Sequence, residues 1–150
     1  MDFKEEYGEK RKPDADEEDY FIGVKGLERK AKRDGLNIIL PGPNELFIDI
    51  DSEEEYQQFQ EKMKWFRDVM PEQYGMYLSI VKEMPSKSGL PRRHITVYVE
   101  FPEDHDLNPW ERICLQFCLG SDFKRERLST CRMLIGEEEY ATAFLEKKEE

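Results

Sequence analysis

Histidine and cysteine are scarce in this chain, two and three residues out of 150. Cys114, Cys118 and Cys131 form no disulfide framework and match no common zinc-finger spacing, even with His105 nearby. Cys114 and Cys118 stand one helical turn apart on an apolar stripe, which makes core packing their expected role. An odd number of unframed cysteines fits a reducing compartment. No apolar run has the length of a membrane-spanning helix, and the opening MDFKEEYGEK lacks the apolar stretch of a secretory signal. The expected setting is therefore intracellular, cytoplasmic and without a membrane partner. Glycine-rich loops of the Walker or Rossmann kind are absent, as are internal repeats, low-complexity linkers and any Ser–His–Asp or Cys–His arrangement.

Positive charge is also in short supply, with a formal net charge of −11. The deficit is uneven. Residues 1–20 carry nine acids and four bases, and residues 137–150 carry six acids and two bases, which leaves a nearly neutral centre. The two ends read as acidic flexible tails, 1–19 and 137–150, around one domain over 20–136. Basic clusters at Lys25–Arg33, Lys87–Arg93 and Lys124–Arg132 interrupt the centre. This balance argues against tight non-specific nucleic-acid binding but leaves room for a polyanionic ligand.

Apolar residues at 38% and aromatics at 12% are enough for a core in a single domain of this length. Residues 20–36 read as a basic helix ending near Gly35, and NIILPGPNE as a connector broken by Pro41, Gly42 and Pro43. LFIDID alternates as a strand. The clearest helix follows, opened by a Ser52/Glu55 capping box, with Tyr56, Phe59, Met63 and Phe66 on one face and Pro71 as its stop. YGMYLSIVKEM and HITVYVEF form a hairpin with a long tip. Asn108 and Pro109 start a further helix with Trp110, Ile113, Cys114, Phe117 and Cys118 as its apolar face. Asp122 caps a last one. The order β–α–β–β–α predicts an α+β fold: an open, antiparallel-type sheet with helices on one face.

Strands alternate faces with period two. Leu46, Ile48 and Ile50, with Ile95, Val97, Val99 and Phe101, belong against the helices. Asp49, Asp51 and His94 then share the other face, provided the two strands are neighbours. Paired carboxylates of this kind suit Mg²⁺ or Mn²⁺, and two such ions align an attacking hydroxyl with a phosphorus. The tip offers hydroxyls, backbone N–H groups and the cations Lys87, Arg92 and Arg93, which suit a triphosphate. Each feature also has a plainer reading: a solvated strand end, a polar turn and an exposed histidine.

The two motifs together, in this order, resemble the archaeo-eukaryotic primase-polymerase superfamily, in the manner of a small stand-alone phage- or plasmid-like catalytic core. LFIDID looks like its first motif, with Asp49 and Asp51 as metal ligands. SKSGLPRRHITVYV looks like its second, with Ser88 and His94 as triphosphate contacts. The resemblance spans roughly residues 45–130 and implies an RRM-like β–α–β–β–α core. It further implies a nucleotidyltransferase adding nucleotides to a 3′-hydroxyl on single-stranded or primed nucleic acid, with a replicative helicase or other accessory protein as partner. The third acid of the family is sought in Asp122 of CLGSDFKRER, which also suits a plain helix cap; Glu100 is a substitute on the same strand face. The alternative is a degenerate nucleotide- or protein-binding module on the same scaffold. FKRERLSTCR offers either a solvated face or a contact to a template backbone, and Trp65 and Phe66 either core packing or a stacking platform.

Overall fold

The computed structural model describes residues 23–86 and 89–147. The fold is α+β, with four helices and two open antiparallel sheets among the described residues. Helix α1 (Val24–Asp34) ends at Gly35, whose φ of 64° takes the left-handed turn that glycine adopts without strain. Then follow β1 (Leu36–Ile39), β2 (Glu45–Ile50), α2 (Glu53–Tyr74), β3 (Tyr77–Pro85), β4 (Arg93–Glu100), α3 (Pro109–Cys118), α4 (Phe123–Leu134), a short 3₁₀ turn (Glu138–Tyr140) and β5 (Phe144–Lys147).

The main sheet has the order β2–β4–β3. Its apolar face is the one alternation predicts. Leu46, Ile48, Ile50, Ile95, Val97 and Val99 are fully buried together with Phe59 and Met63 of α2, Leu107 and Leu119. Fully burying such a side chain contributes about 1.5–3 kcal/mol, so this face dominates the stability of the domain. Asp49 pairs directly with His94 in the β2–β4 register, which puts both on the opposite face.

Four expectations need correction. Helix α2 runs through Pro71 to Tyr74, because Gly75 closes the last turn by donating to Met70 and Pro71 carbonyls. The segment 36–39 is not merely a connector; it pairs with β5. The expected acidic tail from residue 137 is folded as far as Lys147, while residues 1–19 lie outside the described residues. Finally, α3 buries only Ile113 of its predicted apolar stripe. Trp110 and Phe117 are half exposed and Cys114 and Cys118 exposed, whereas Arg112 and Gln116 turn inward beside Ile113. Trp65 is likewise on the surface, while Phe66 packs against the core.

The reason for the α3 orientation lies in β2, an edge strand whose outward backbone groups need partners. The Phe47 N–H donates to Gln116 Oε1 at 2.7 Å, and the Phe47 carbonyl accepts from Arg125 Nη1 at 2.8 Å. Asp49 N–H donates to Ser121 Oγ at 2.9 Å, and the Asp49 carbonyl accepts from the Asp122 N–H at 2.7 Å. Arg112 Nε donates to the Glu45 carbonyl at 2.9 Å. Gln116 in turn donates to Glu126 at 2.8 Å, and Glu126 accepts from Arg125 at 2.7 Å. Polar residues here stand in for a neighbouring strand, and most of the apolar stripe is left outside.

Replacing Gln116 with Ala leaves the Phe47 N–H and one Glu126 oxygen unpartnered in the interior. The expected loss is about 2–5 kcal/mol in urea denaturation, against about 0.5 kcal/mol or less for Phe117→Ala on the exposed face. Equal losses for the two variants would contradict this account of why α3 faces as it does.

Candidate metal and nucleotide site

At the end of β2 three elements converge. Asp51 leaves the strand, Glu55 stands in the first turn of α2, and Asp122 caps α4. One carboxylate oxygen from each lies within 4.8 Å of the others. Each placement has a local cause. Ser52 caps α2 by accepting from Glu55 N–H at 3.1 Å, as a capping box requires. The Glu55 carboxylate does not return to Ser52, however; it accepts from Asp51 N–H at 3.1 Å, and so joins the acids. Asp122 accepts from Arg125 N–H at 3.2 Å while its own N–H holds the Asp49 carbonyl. The helix-cap role and the place beside the β2 acids are thus held by one residue.

Asp49 sits one strand step behind this trio. Its carboxylate lies 3.6 Å from His94 Nε2, and His94 Nδ1 lies 3.9 Å from Glu146 of β5. Burial pushes Asp49 up to about 7; Arg125 opposes the shift, and Asp122 and Asp51 reinforce it. Glu55 is also raised, first by burial and then by its contact with Asp122, against the Asp51 N–H bond that lowers it. Asp49 and Glu55, part-buried beside further acids, hold their protons more tightly, and a cation among them would relieve the shared negative charge.

Two of these acids, Asp49 and Asp51, line a cleft of about 280 Å³. Lys30, Arg92, Arg125 and Arg132 line it too, with Ser86, His94 and the apolar Leu27, Leu128 and Phe144. Burial, then the neighbouring Arg125, pulls Arg132 down to about 10, so it stays cationic at neutral pH. Arg125 and Arg132 also bind carbonyls of the segment leading into β5, at Thr142 and at Tyr140 and Ala141. That segment sets Phe144 parallel to both Phe47, at 4.4 Å, and His94, at 3.8 Å. The polar face of the sheet is therefore partly roofed rather than open.

The residues singled out from sequence fall into three groups. Asp49, Asp51, Asp122, Arg92 and His94 come together, with Arg92 Nε 2.9 Å from Asp51. Arg93 turns to the helix side, binding Glu83 at 3.1 Å and Glu53 at 3.4 Å and lying 3.5 Å over the Tyr56 ring. Lys87 and Ser88 lie outside the described residues. Glu100 is no substitute acid: it stands six residues beyond His94 along β4, on the order of 20 Å away. The sequence reading missed Glu55 as a site residue, because the capping box accounted for it. It also missed Lys30, Arg132 and Phe144, which long-range packing brings in without a local motif. Among the described residues the cysteines and His105 form no metal-holding group, and His105 bonds Glu111 at 3.0 Å. No protein-family model, curated protein or solved structure matches the chain.

The Asp49 shift has a sign. Its folded-state pKa lies above the ordinary value of 3.8, so the native protein binds that proton more tightly than the unfolded chain does. Its ionised form costs stability above about pH 7, and the cost vanishes as the pH falls below about 4. In chelator, Asp49→Asn should therefore raise stability at pH 8 by an amount on the order of 1–4 kcal/mol and change it little at pH 4. Thermal unfolding at both pH values measures this; the same change at both would contradict a buried, proton-linked Asp49.

Proposed function

We propose that the chain is a metal-dependent nucleotidyltransferase of the primase-polymerase type, extending a 3′-hydroxyl on a nucleic-acid template. The observation that carries this reading is the meeting of Asp51, Glu55 and Asp122 within 4.8 Å, with Asp51 and Asp49 also lining a cleft that holds Lys30, Arg92, Arg125 and Arg132. The donor set fits a hard divalent ion, because every ligand is a carboxylate oxygen. Asp51, Glu55 and Asp122 would hold Mg²⁺ or Mn²⁺, with Asp49 completing the acidic wall; the bound ion supplies charge neutralisation at the transferring phosphoryl group.

The chain's own residues do the rest. Arg92, which pairs with Asp51 beside the acids, and Lys30, which lines the same cleft, would meet the phosphates of a nucleoside triphosphate. His94 is held between Asp49 on its Nε2 side and Glu146 on its Nδ1 side and stacked on the Phe144 ring, so it fixes the wall of the cleft beside the acids. The cradle aligns the α-phosphorus with an incoming 3′-hydroxyl, and pyrophosphate leaves on the cationic side. Catalysis on this plan is positioning and electrostatic stabilisation, with no covalent protein intermediate. An accessory protein such as a helicase would deliver the template in a longer reaction.

One feature favours a second reading, a nucleotide-binding module without chemistry: Phe144 stacks on His94 and roofs part of the polar face. Nucleotide incorporation by purified protein, with Mn²⁺, primed or single-stranded DNA and labelled nucleotides, separates the two. The enzyme reading expects incorporation that falls about 100-fold or more in Asp51→Ala and in Asp122→Ala. Metal-dependent nucleotide binding without incorporation would favour the second reading, and neither binding nor incorporation would sink both.

A further inference from the structure

Helix α4 sorts its charges. Its one acid, Glu126, is buried against Gln116 and Arg125, while Lys124 and Arg127 face outward. The exposed cations are interleaved with exposed rings. Phe123 is 54% and Phe117 51% exposed, their centroids 6.0 Å apart, and the Arg127 guanidinium lies 4.5 Å over the Phe123 ring. Lys62 of α2 lays its ammonium beside Gly120 in the turn between α3 and α4. The nearby acid of α3, Glu111, is at the other end of that helix and is engaged by His105. Asp122, the cap directly before Phe123, borders the patch on its acid-cluster side, while Lys124, Arg127 and the two rings make the patch itself cationic and aromatic.

We infer that the turn end of the α3–α4 hairpin, formed by Phe117, Phe123, Lys124 and Arg127, is a platform for single-stranded nucleic acid. Exposed rings offer stacking faces to unpaired bases regardless of sequence, and adjacent cations meet the phosphates between them. A duplex keeps its bases stacked on one another and cannot use the rings, so the surface selects single strands. Phe123 directly follows Asp122, so a strand lying on the platform passes beside the acid cluster. This deepens the reading above and rests on it only for calling the strand a template. The same aromatics would serve a contact between two copies of the chain equally well on hydrophobic grounds alone, but paired copies would bring Lys124 and Arg127 against their like.

The test is fluorescence anisotropy of labelled single-stranded oligothymidylate and of a duplex of equal length, in chelator, across a salt series. Wild type should prefer the single strand. Phe117→Ala/Phe123→Ala should weaken that binding at least about tenfold. Lys124→Ala/Arg127→Ala should weaken it and shallow the salt dependence by roughly 0.7 per cation removed. All four side chains are on the surface, and circular dichroism checks that the fold survives. Wild-type affinity in both variants would overturn the inference, as would equal affinity for the duplex. A dimer seen by light scattering that dissociates in the phenylalanine variant, with strand affinity unchanged, would reassign the face to self-association. Mn²⁺-dependent nucleotide binding, measured in parallel, keeps the two proposals apart. Nucleotide bound without any single strand refutes the platform alone, and single strand bound without nucleotide refutes the metal site alone.

Discussion

Among the described residues strand β2 has a strand neighbour on one side only, and the arrangement of the site depends on how its other side is satisfied. From the Glu45 carbonyl to the Asp51 N–H, outward backbone groups are met in turn by Arg112, Gln116, Arg125, Ser121, Asp122 and Glu55. A buried or half-buried backbone group without a partner costs about 1–3 kcal/mol, so this seam cannot slip without a large penalty. Asp122 holds β2 with its backbone N–H and Glu55 with one carboxylate oxygen, and both thereby bring a carboxylate to the end of the strand. The same contacts that close the edge thus assemble the acid cluster. Fold and candidate chemistry share one set of hydrogen bonds.

The alternating strands and their two faces were legible in the sequence, because period-two patterning in LFIDID and HITVYVEF has a single physical consequence once one face must be buried. That Asp49 and His94 share a face followed from it once the two strands are neighbours, while their direct pairing is set by the β2–β4 register. The direction of α3 was not legible. Its apolar stripe at Trp110, Cys114 and Phe117 predicted burial, but the hydrogen-bond demand of an edge strand outweighed it and drew Arg112 and Gln116 inward. Nothing local signals such a demand, since it exists only when β2 has no second neighbour. The β1–β5 ribbon escaped for a related reason. Each strand has four residues, too short for a periodic signal, and they are more than a hundred positions apart. Glu55 was visible as a capping residue, yet its carboxylate serves the residue before the cap.

Electrostatics explain why an acidic chain keeps cations where it does. Asp49, Asp51, Glu55 and Asp122 crowd one end of the sheet, and the cleft answers with Lys30, Arg92, Arg125 and Arg132. Arg92 pairs directly with Asp51, and Arg125 opposes the burial of Asp49. The nucleotide with its divalent cation proposed above would meet both signs of charge.

The central claim is that Asp51, Glu55 and Asp122 form one cation site. Paramagnetic relaxation by substoichiometric Mn²⁺, followed on the backbone amide resonances, tests it most directly. The account predicts that the amides of Asp51, Glu55 and Asp122 and their immediate neighbours broaden first, and that Asp122→Ala removes the selective effect. Uniform weak broadening over the acidic surface, unchanged by that substitution, would contradict it.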